Sequence, residues 1–319
     1  SGTSALHLAL HLIREQAGDR NTILTIPLTC TATNFPILAN GYDIRWVDTD
    51  PTTCNVDMQD LRRKMGPDVA GIMIVHWGGT PCDLDALRAV QDEAEQLYGY
   101  RPPIIEDAAH AFGAEWDRKM LGNHGNFVMH SFQAIKHLTT GDGGVLISPD
   151  YEYHRRAKLL RWFGLDREKS PDMRCEQNVT EWGYKFHMND INAVIGIQNF
   201  ALVKEIVHGH RNNGMIYDEA LGSVDGVTLL HQPKKCRSSY WVYTLRVERR
   251  DDFVKKLQAE GIACSRVHDR NDKHACLNKY RIPLPGTDEV CSDMICIPCG
   301  WWVTASDANH VVNVIRSGW

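Results

Sequence analysis

Short apolar runs alternate with helical patterns through the first half of the chain. GIMIVH at residues 71–76 is an apolar run of strand length, whereas DLDALRAVQDEAEQL at residues 83–97 carries leucines and a valine at helical spacing. ALHLALHLI at residues 5–13 is apolar nearly all round, which indicates a buried helix. The strands expected in this half are residues 22–27, 43–48, 71–76, 102–107, 126–132 and 144–149.

This alternation favours an α/β fold, in which a mostly parallel sheet lies between two layers of helices. Parallel sheets bind their ligands at the carboxyl ends of the strands. The segments IIEDAAHAFGA and HSFQAIK lie at two such ends. We therefore expect a large ligand-binding domain over residues 1–208.

The pattern changes after residue 188, where a long helical stretch begins that we expect to break near Gly209. Beyond it the chain predicts a smaller C-terminal α+β domain over residues 209–319. The elements expected there are strands at 240–248 and 262–268, a helix at 251–261 and a last helix starting at Thr304, which forms a capping box with Asp307.

The composition is that of a globular protein and narrows the possible partners. The chain has 319 residues, of which 43% are hydrophobic and 24% charged. A net charge of −5 without a basic stripe gives no reason to expect a nucleic-acid partner. No apolar run approaches the roughly 20 residues of a membrane helix, so we expect a cytoplasmic protein without a membrane partner. Because the chain opens with serine and a helical pattern, we also expect that a lead segment is missing before it.

Ten scattered cysteines are typical of reduced cytosolic thiols. Cys291, Cys296 and Cys299 have the C-x4-C-x2-C spacing of plant-type iron–sulfur ligation. That ligation needs a fourth cysteine further along, and none follows Cys299. An iron–sulfur protein is therefore kept only as an alternative.

Lys136 lies between an apolar segment and a glycine cluster in FVMHSFQAIKHLTTGDGG, residues 127–144. A solvated loop lysine is the ordinary interpretation, but this lysine would emerge from a core strand near Asp107, which ends another predicted strand. Removal from water lowers the pKa of a lysine. More of its amine is then neutral and can act as a nucleophile or a base. The glycines follow the lysine, so the segment matches neither a P-loop nor a dinucleotide fingerprint.

A second candidate site lies at the start of the chain, in SGTSALHLAL. Gly2, Thr3 and Ser4 precede a helix directly, and a helix N-terminus of this kind either binds an anion or is simply capped by its own hydroxyl groups. Together, the anion site, Asp107 and Lys136 supply what pyridoxal phosphate (PLP) requires: a phosphate cup, a carboxylate for the pyridine nitrogen and a lysine.

The chain resembles the DegT/DnrJ/EryC1/StrS family of sugar aminotransferases, which are fold-type I PLP enzymes. The resemblance covers essentially the whole chain. It rests on SGTSALHLAL, IPLTCTATNFPILANG, IIEDAAHAFGA, HSFQAIKHLTTGDGG, RWFGLDRE, WGYKFHMNDINAVIGIQNF and IPCGWW, which occur in the family's order.

The resemblance implies a role for each matching residue. Lys136 would bind PLP covalently and Asp107 would pair with the pyridine nitrogen. Ala109 would lie under the ring, and His110 would reach the region of the ring hydroxyl. The phosphate contacts implied are Gly2, Thr3, Ser4 and Ser131.

Three positions depart from the family pattern. Cys30 stands where many members have an aromatic residue over the ring. Lys185 and His187 stand where many members have an asparagine that reaches the phosphate of the neighbouring subunit. A lysine can still neutralise a phosphate as a point charge.

The resemblance further implies transamination of a nucleotide-diphosphate-linked keto sugar, with glutamate or glutamine as amino donor, in a homodimer with shared active sites. His110 in EDAAHAFG is more typical of members that act on a 4-keto-6-deoxy sugar. His268 and Arg270 are candidate contacts to the sugar or diphosphate, against an ordinary charged loop as the alternative. The product would serve lipopolysaccharide, other surface polysaccharide or glycoconjugate biosynthesis.

Other functions stay open from the sequence. A PLP-dependent sugar dehydratase or a 3-keto sugar aminotransferase would share the fold. The dehydratase branch has histidine in place of the lysine, but here His137 only follows Lys136, which occupies the family position. A non-enzymatic ligand-binding relative is disfavoured because Asp107 and Lys136 are both present.

Overall fold

A six-stranded sheet forms the centre of the N-terminal part. The computed structural model describes residues 1–168 and 175–319. The strands of the first 150 residues are β1 (Thr22–Thr25), β2 (Asp43–Trp46), β3 (Val69–Val75), β4 (Ile104–Asp107), β5 (Glu115–Trp116), β6 (Lys119–Met120), β7 (Phe127–Ser131) and β8 (Gly144–Ile147). The main sheet has the order β2-β1-β3-β4-β7-β8. All neighbours are parallel except β7 and β8, so the predicted α/β class and its six strands are confirmed.

Helices cover both faces of this sheet. They are α1 (Gly2–Ala17), α2 (Thr31–Ala39), α3 (Met58–Lys64), α4 (Leu84–Tyr98) and α5 (Tyr151–Leu160). Successive side chains of a strand point to opposite faces. Ile23 and Met73 accordingly pack in the core beneath α1, whereas Leu24 and Ile72 pack in the core beneath α4. All seven residues of β3 are buried, which explains its continuous apolar run.

The C-terminal part is built on a three-stranded antiparallel sheet in the order β12 (Met294–Ile297), β11 (Tyr243–Val247) and β9 (Val227–Leu229). Tyr217, Leu245, Phe253 and Ile315 belong to its apolar core. The elements of this half are α6 (Asp190–Phe200), α7 (Val203–Leu221), β9 (Val227–Leu229), β10 (Cys236–Arg237), β11 (Tyr243–Val247), α8 (Arg250–Ala259), α9 (Pro285–Asp293), β12 (Met294–Ile297) and α10 (Ala305–Arg316). No helix of the described residues is long and apolar enough to cross a membrane.

The expected break of the long helix near Gly209 is wrong. The helix breaks at Ala201 and Leu202, and α7 continues through Gly209. A Cβ at Gly209 would lie 3.1 Å from the Cα of Trp301, so this glycine admits a close packing partner rather than a turn. The boundary between residues 208 and 209 stays a prediction.

The expected strand at residues 262–268 is also wrong, because only Ser265 pairs there, in an isolated bridge with Cys296. His268 instead reaches across to His110 of the large part. The predicted helix start at Thr304 is confirmed, since Thr304 and Asp307 form a reciprocal capping box.

Candidate active site

Asp107 is the last residue of β4 and is buried at the carboxyl edge of the main sheet. Thr33 donates from Oγ1 to Oδ2 of Asp107 at 2.7 Å, and the backbone N–H of Ala109 donates to Oδ1 at 3.0 Å. Burial raises the pKa of Asp107, while these hydrogen bonds and the charge of Lys136 act in the opposite direction. No ion-pair partner touches this carboxylate within residues 1–168 and 175–319, so it is oriented and ready to face a cationic ligand atom.

Lys136 lies in the loop between β7 and β8, within reach of the charge of Asp107. Burial lowers the pKa of Lys136 to about 8, although the negative charge of Asp107 favours the ammonium form. Its Nζ lies 3.6 Å from the centroid of the Trp241 indole ring. A lysine with this pKa has a substantial neutral fraction near pH 8, which both imine formation and proton abstraction require.

His110 stacks on Trp241 beside this lysine and also contacts the ring of His268. Its ring centroid lies 3.9 Å from that of Trp241 and 5.2 Å from that of His268. The Nε2 atoms of His110 and His268 are 3.2 Å apart, so one donates and the other accepts. Burial lowers the pKa of His110 well below its usual value and that of His268 to about 4, so both rings are neutral. Nδ1 of His110 is buried and lacks a hydrogen-bond partner among the described residues.

The N-terminus of α1 lies against the ends of β7 and β8. A Cβ on Gly2 would lie 3.1 Å from the Cβ of Ser131, and one on Gly144 would lie 2.6 Å from the backbone nitrogen of Gly2. The helix is capped by Ser1, whose Oγ accepts from the N–H of Ser4, so Thr3 and Ser4 lie inside the first turn and are not the cap. Free N–H groups at the start of a 16-residue helix next to a serine hydroxyl are suited to a phosphate.

The other predicted cofactor contacts have different surroundings. Cys30 is the N-cap residue of α2 and its thiol acts on the charge of Lys136, which places it beside the lysine. Thr3 is exposed and Ser4 half-buried at the start of α1. Lys185 is exposed, and its backbone bridges to Trp162.

His187 borders a cavity that Ser1, Ser4 and Gly144 also line, and its ring meets that of Trp162 edge-on at 3.8 Å. Partial burial lowers the pKa of His187, as do its basic neighbours. This histidine therefore lies near the start of α1 of its own chain.

Arg270 has a different environment from the neighbouring His268. Its guanidinium forms ion pairs with Asp272, which is fully buried, and with Asp288. A guanidinium that two carboxylates already occupy is poorly suited to bind a diphosphate. These ion pairs therefore do not support the predicted contact between Arg270 and the substrate.

The residues present fit PLP. A buried carboxylate, a lysine with a lowered pKa, an unpartnered imidazole nitrogen and a glycine-lined helix start lie around the carboxyl edge of one sheet. A metal centre has no such support, because no group of three or more potential ligands occurs in the described part of the chain. Burial also raises the pKa of Cys291, Cys296 and Cys299, which disfavours the thiolates of an iron–sulfur site.

A family model described as the DegT/DnrJ/EryC1/StrS aminotransferase family matches residues 1–316. The chain belongs to this family. It is a PLP-dependent aminotransferase with the fold of the fold-type I enzymes.

Several relatives are similar over nearly the whole chain. The crystal structure of AtS13 from Actinomadura melliaura is 47% identical, with a TM-score of 0.97, and the match covers 100% of this chain and 85% of that one. The sugar aminotransferase CalS13 from Micromonospora echinospora is 44% identical, with a TM-score of 0.95 and coverages of 100% and 86%. The uncharacterized protein MJ1066 from Methanocaldococcus jannaschii is 27% identical over 99% of this chain and 83% of its own.

Two residues of this site were not predicted from the sequence. Thr33 lies one helical turn after Thr29, and the two hydroxyl groups are 2.8 Å apart, so this spacing at the start of α2 was a usable signal. Trp241 lies in a segment predicted as a strand, more than 100 residues from Lys136. Nothing local distinguishes it from a core aromatic residue.

Proposed function

We propose that the chain transfers an amino group from glutamate or glutamine to a keto sugar linked to a nucleotide diphosphate, with a 4-keto-6-deoxy sugar as acceptor. The observation that carries this proposal is the proximity of Asp107 and Lys136, a buried carboxylate and a lysine with a pKa of about 8, at the carboxyl edge of a family-typical sheet. The sugar is supported by CalS13, a sugar aminotransferase 44% identical to this chain.

Different residues bind the cofactor and transfer the proton. Bound PLP supplies an electron sink that lets an amino group pass from a donor to a keto acceptor. Lys136 holds the cofactor covalently and, once displaced, moves the proton at the α-carbon of the donor. Asp107 would face the ring nitrogen and keep it protonated. Ala109, whose N–H binds this carboxylate, would lie under the ring, and Cys30 would lie over the ring.

The remaining contacts hold the phosphate and the substrate. Gly2, Thr3, Ser4 and Ser131 provide N–H and hydroxyl donors to the phosphate. His110 binds near the ring hydroxyl through an imidazole that is neutral and can therefore both donate and accept. His268 lies against His110 and is the better placed of the two predicted substrate contacts, since Arg270 is already paired.

We further propose a homodimer in which Lys185 and His187 approach the phosphate site of the partner. The support is the helix that follows them: α6 has no buried residue in the single chain, and Ile191, Ile197 and Phe200 on it are more than 60% exposed. A second copy of the chain is the occupant that would cover this apolar helix. The product would enter surface polysaccharide, lipopolysaccharide or glycoconjugate biosynthesis.

A 3-keto sugar aminotransferase and a sugar dehydratase of the same family are the alternatives. The test incubates the purified protein with PLP, glutamate or glutamine, and a panel of nucleotide-linked 4-keto and 3-keto sugars. We expect an amino sugar from a 4-keto acceptor and loss of turnover in Lys136→Ala. Loss of the sugar hydroxyl without amination would favour the dehydratase, and wild-type turnover in Lys136→Ala would contradict the proposed site.

A further inference from the structure

The segment Ser238–Trp241 joins β10 to β11 and is fastened to the large part next to the site. The N–H of Ser239 donates to the carbonyl of Gly79 at 3.0 Å, and Nε2 of His137 donates to the carbonyl of Ser239 at 3.0 Å. Tyr240 has a φ of 46°, in a region that bulky residues rarely adopt. Strained backbone persists where the surroundings over-determine it and is concentrated at functional sites. The segment is therefore held in one conformation.

Trp241 follows this strained residue and covers the lysine. Its Nε1–H donates to the carbonyl of Ile135 at 2.9 Å, which ties the indole to the residue directly before Lys136. Its face lies 3.6 Å from Nζ of Lys136, while the ring is also stacked with His110. The side chain is only 8% exposed, so water screens this contact weakly. A desolvated ammonium over an indole face is the most favourable cation–π arrangement in proteins.

We propose that Trp241 is a positioning residue whose indole face receives the free ammonium group of Lys136 whenever the bond between the lysine and the cofactor is open. The proposal rests on the role given to Lys136 under the proposed function. The ring favours the protonated lysine without forming a hydrogen bond, so the amine is held in place yet remains able to release its proton.

The side chains around Lys136 differ in how they act on its ammonium group. Asp107, at the end of β4, favours the charged amine. His110 and His137 are buried and His268 is half-buried, and desolvation lowers the pKa of all three, so they contribute no positive charge. Of the surrounding side chains, Trp241 is the one whose π face lies over Nζ. Removal of the indole is therefore expected to lower the pKa of Lys136 by more than a loss of packing alone would.

The test compares Trp241→Phe with Trp241→Leu in the full-length protein freed of cofactor. Both substitutions shorten the side chain to a similar apolar size, but only phenylalanine keeps a π face. Competitive labelling with acetic anhydride across a pH series, quantified on the peptide that contains Lys136, gives the pKa of this lysine. We expect the Leu variant to lie about one pKa unit below the Phe variant, with the wild type highest. Trp319→Leu, at a half-buried tryptophan packed against the C-terminal core, is the matched control and should leave this pKa unchanged.

Equal pKa values in the Phe and Leu variants, or a higher value in the Leu variant, would overturn the proposal. If thermal melting shows that the Leu variant does not fold, Trp241→Met replaces it as the variant without a ring. Borohydride reduction of the PLP-loaded wild type separates this outcome from a failure of the proposed function. A label on another lysine would refute the site itself, whereas a label on Lys136 with equal pKa values would refute the role of Trp241 alone.

Discussion

At the scale of the residue, the desolvation of Lys136 lowers the free energy of unfolding of the cofactor-free protein. Lys136 is half-buried without a hydrogen-bonded counterion among the described residues, and its pKa falls from 10.5 to about 8. The folded protein therefore binds fewer protons than the unfolded chain between these two values. Below about pH 8 the lysine is charged in both states and the full desolvation cost opposes folding. As the pH rises toward 10.5 this cost disappears, so stability rises with pH in that window.

Lys136→Met should therefore stabilise the cofactor-free protein. We expect a gain on the order of 2–3 kcal/mol in the free energy of unfolding at pH 7, which shrinks toward zero as the pH rises from 8 to 10.5. Urea unfolding at several pH values measures it. Lys255→Met, at a residue 77% exposed, should change stability by less than about 0.5 kcal/mol at every pH. A gain that does not depend on pH would show that desolvation is not its cause.

The sequence predicted the residues that lie at strand ends and missed those that come from elsewhere. Asp107 and Lys136 follow apolar strands, and the rule that parallel sheets bind ligands at their carboxyl edge brings them together without coordinates. Trp241 reaches the lysine only because the segment before β11 is fastened to Gly79 and His137. Such contacts depend on how distant parts of the chain pack, which periodicity does not encode.

At the scale of the element, the start of α1 is held by glycines rather than by charge. A Cβ on Gly144 would lie 2.6 Å from the nitrogen of Gly2 and 2.7 Å from the carbonyl carbon of Ser1. Both are backbone atoms that cannot rotate away. The first turn of α1 would have to move off β8, and its N–H groups would shift away from the proposed phosphate site.

Gly144→Ala should accordingly weaken PLP binding by at least about tenfold and lower stability by about 1–3 kcal/mol. Absorbance titration with PLP and thermal melting measure the two effects. Gly222→Ala is the matched control, because Gly222 has a φ of −65° at the end of α7 and its nearest contact is the flexible end of Leu229. Unchanged PLP affinity in Gly144→Ala would mean that the helix start does not bind the phosphate.

Elements were predictable where the pattern was long and local. The six main strands and the capped helix after Thr304 follow from runs of apolar residues and from cap chemistry. The two wrong predictions, the helix break near Gly209 and the strand at residues 262–268, concern residues that contact a distant part of the chain. The missing side chain of Gly209 allows Trp301 to pack closely against α7. The segment around His268 forms no regular strand where it crosses to His110.

At the scale of the whole molecule, the C-terminal part completes the site rather than merely flanking it. It contributes Trp241, which stacks on His110, and His268, whose Nε2 lies 3.2 Å from that of His110. Its strand β10 pairs with β5, which joins the two parts by a shared antiparallel sheet. The site therefore requires both parts in a fixed relation, and the segment that carries Lys185 and His187 leads directly into the exposed helix α6.

That helix yields the last prediction. Ile191 and Ile197 on α6 are 77% and 69% exposed, and exposed isoleucines this close together are expected at an interface. The double variant Ile191→Asp with Ile197→Asp should shift sedimentation from dimer to monomer, because two carboxylates would have to be buried without partners. It should also lose turnover, since each site would lack Lys185 and His187 of the partner. Leu97→Asp, at a leucine 72% exposed on α4, should remain dimeric and active. A double variant that stays dimeric would place the interface elsewhere, and a monomer with full turnover would show that each chain holds a complete site.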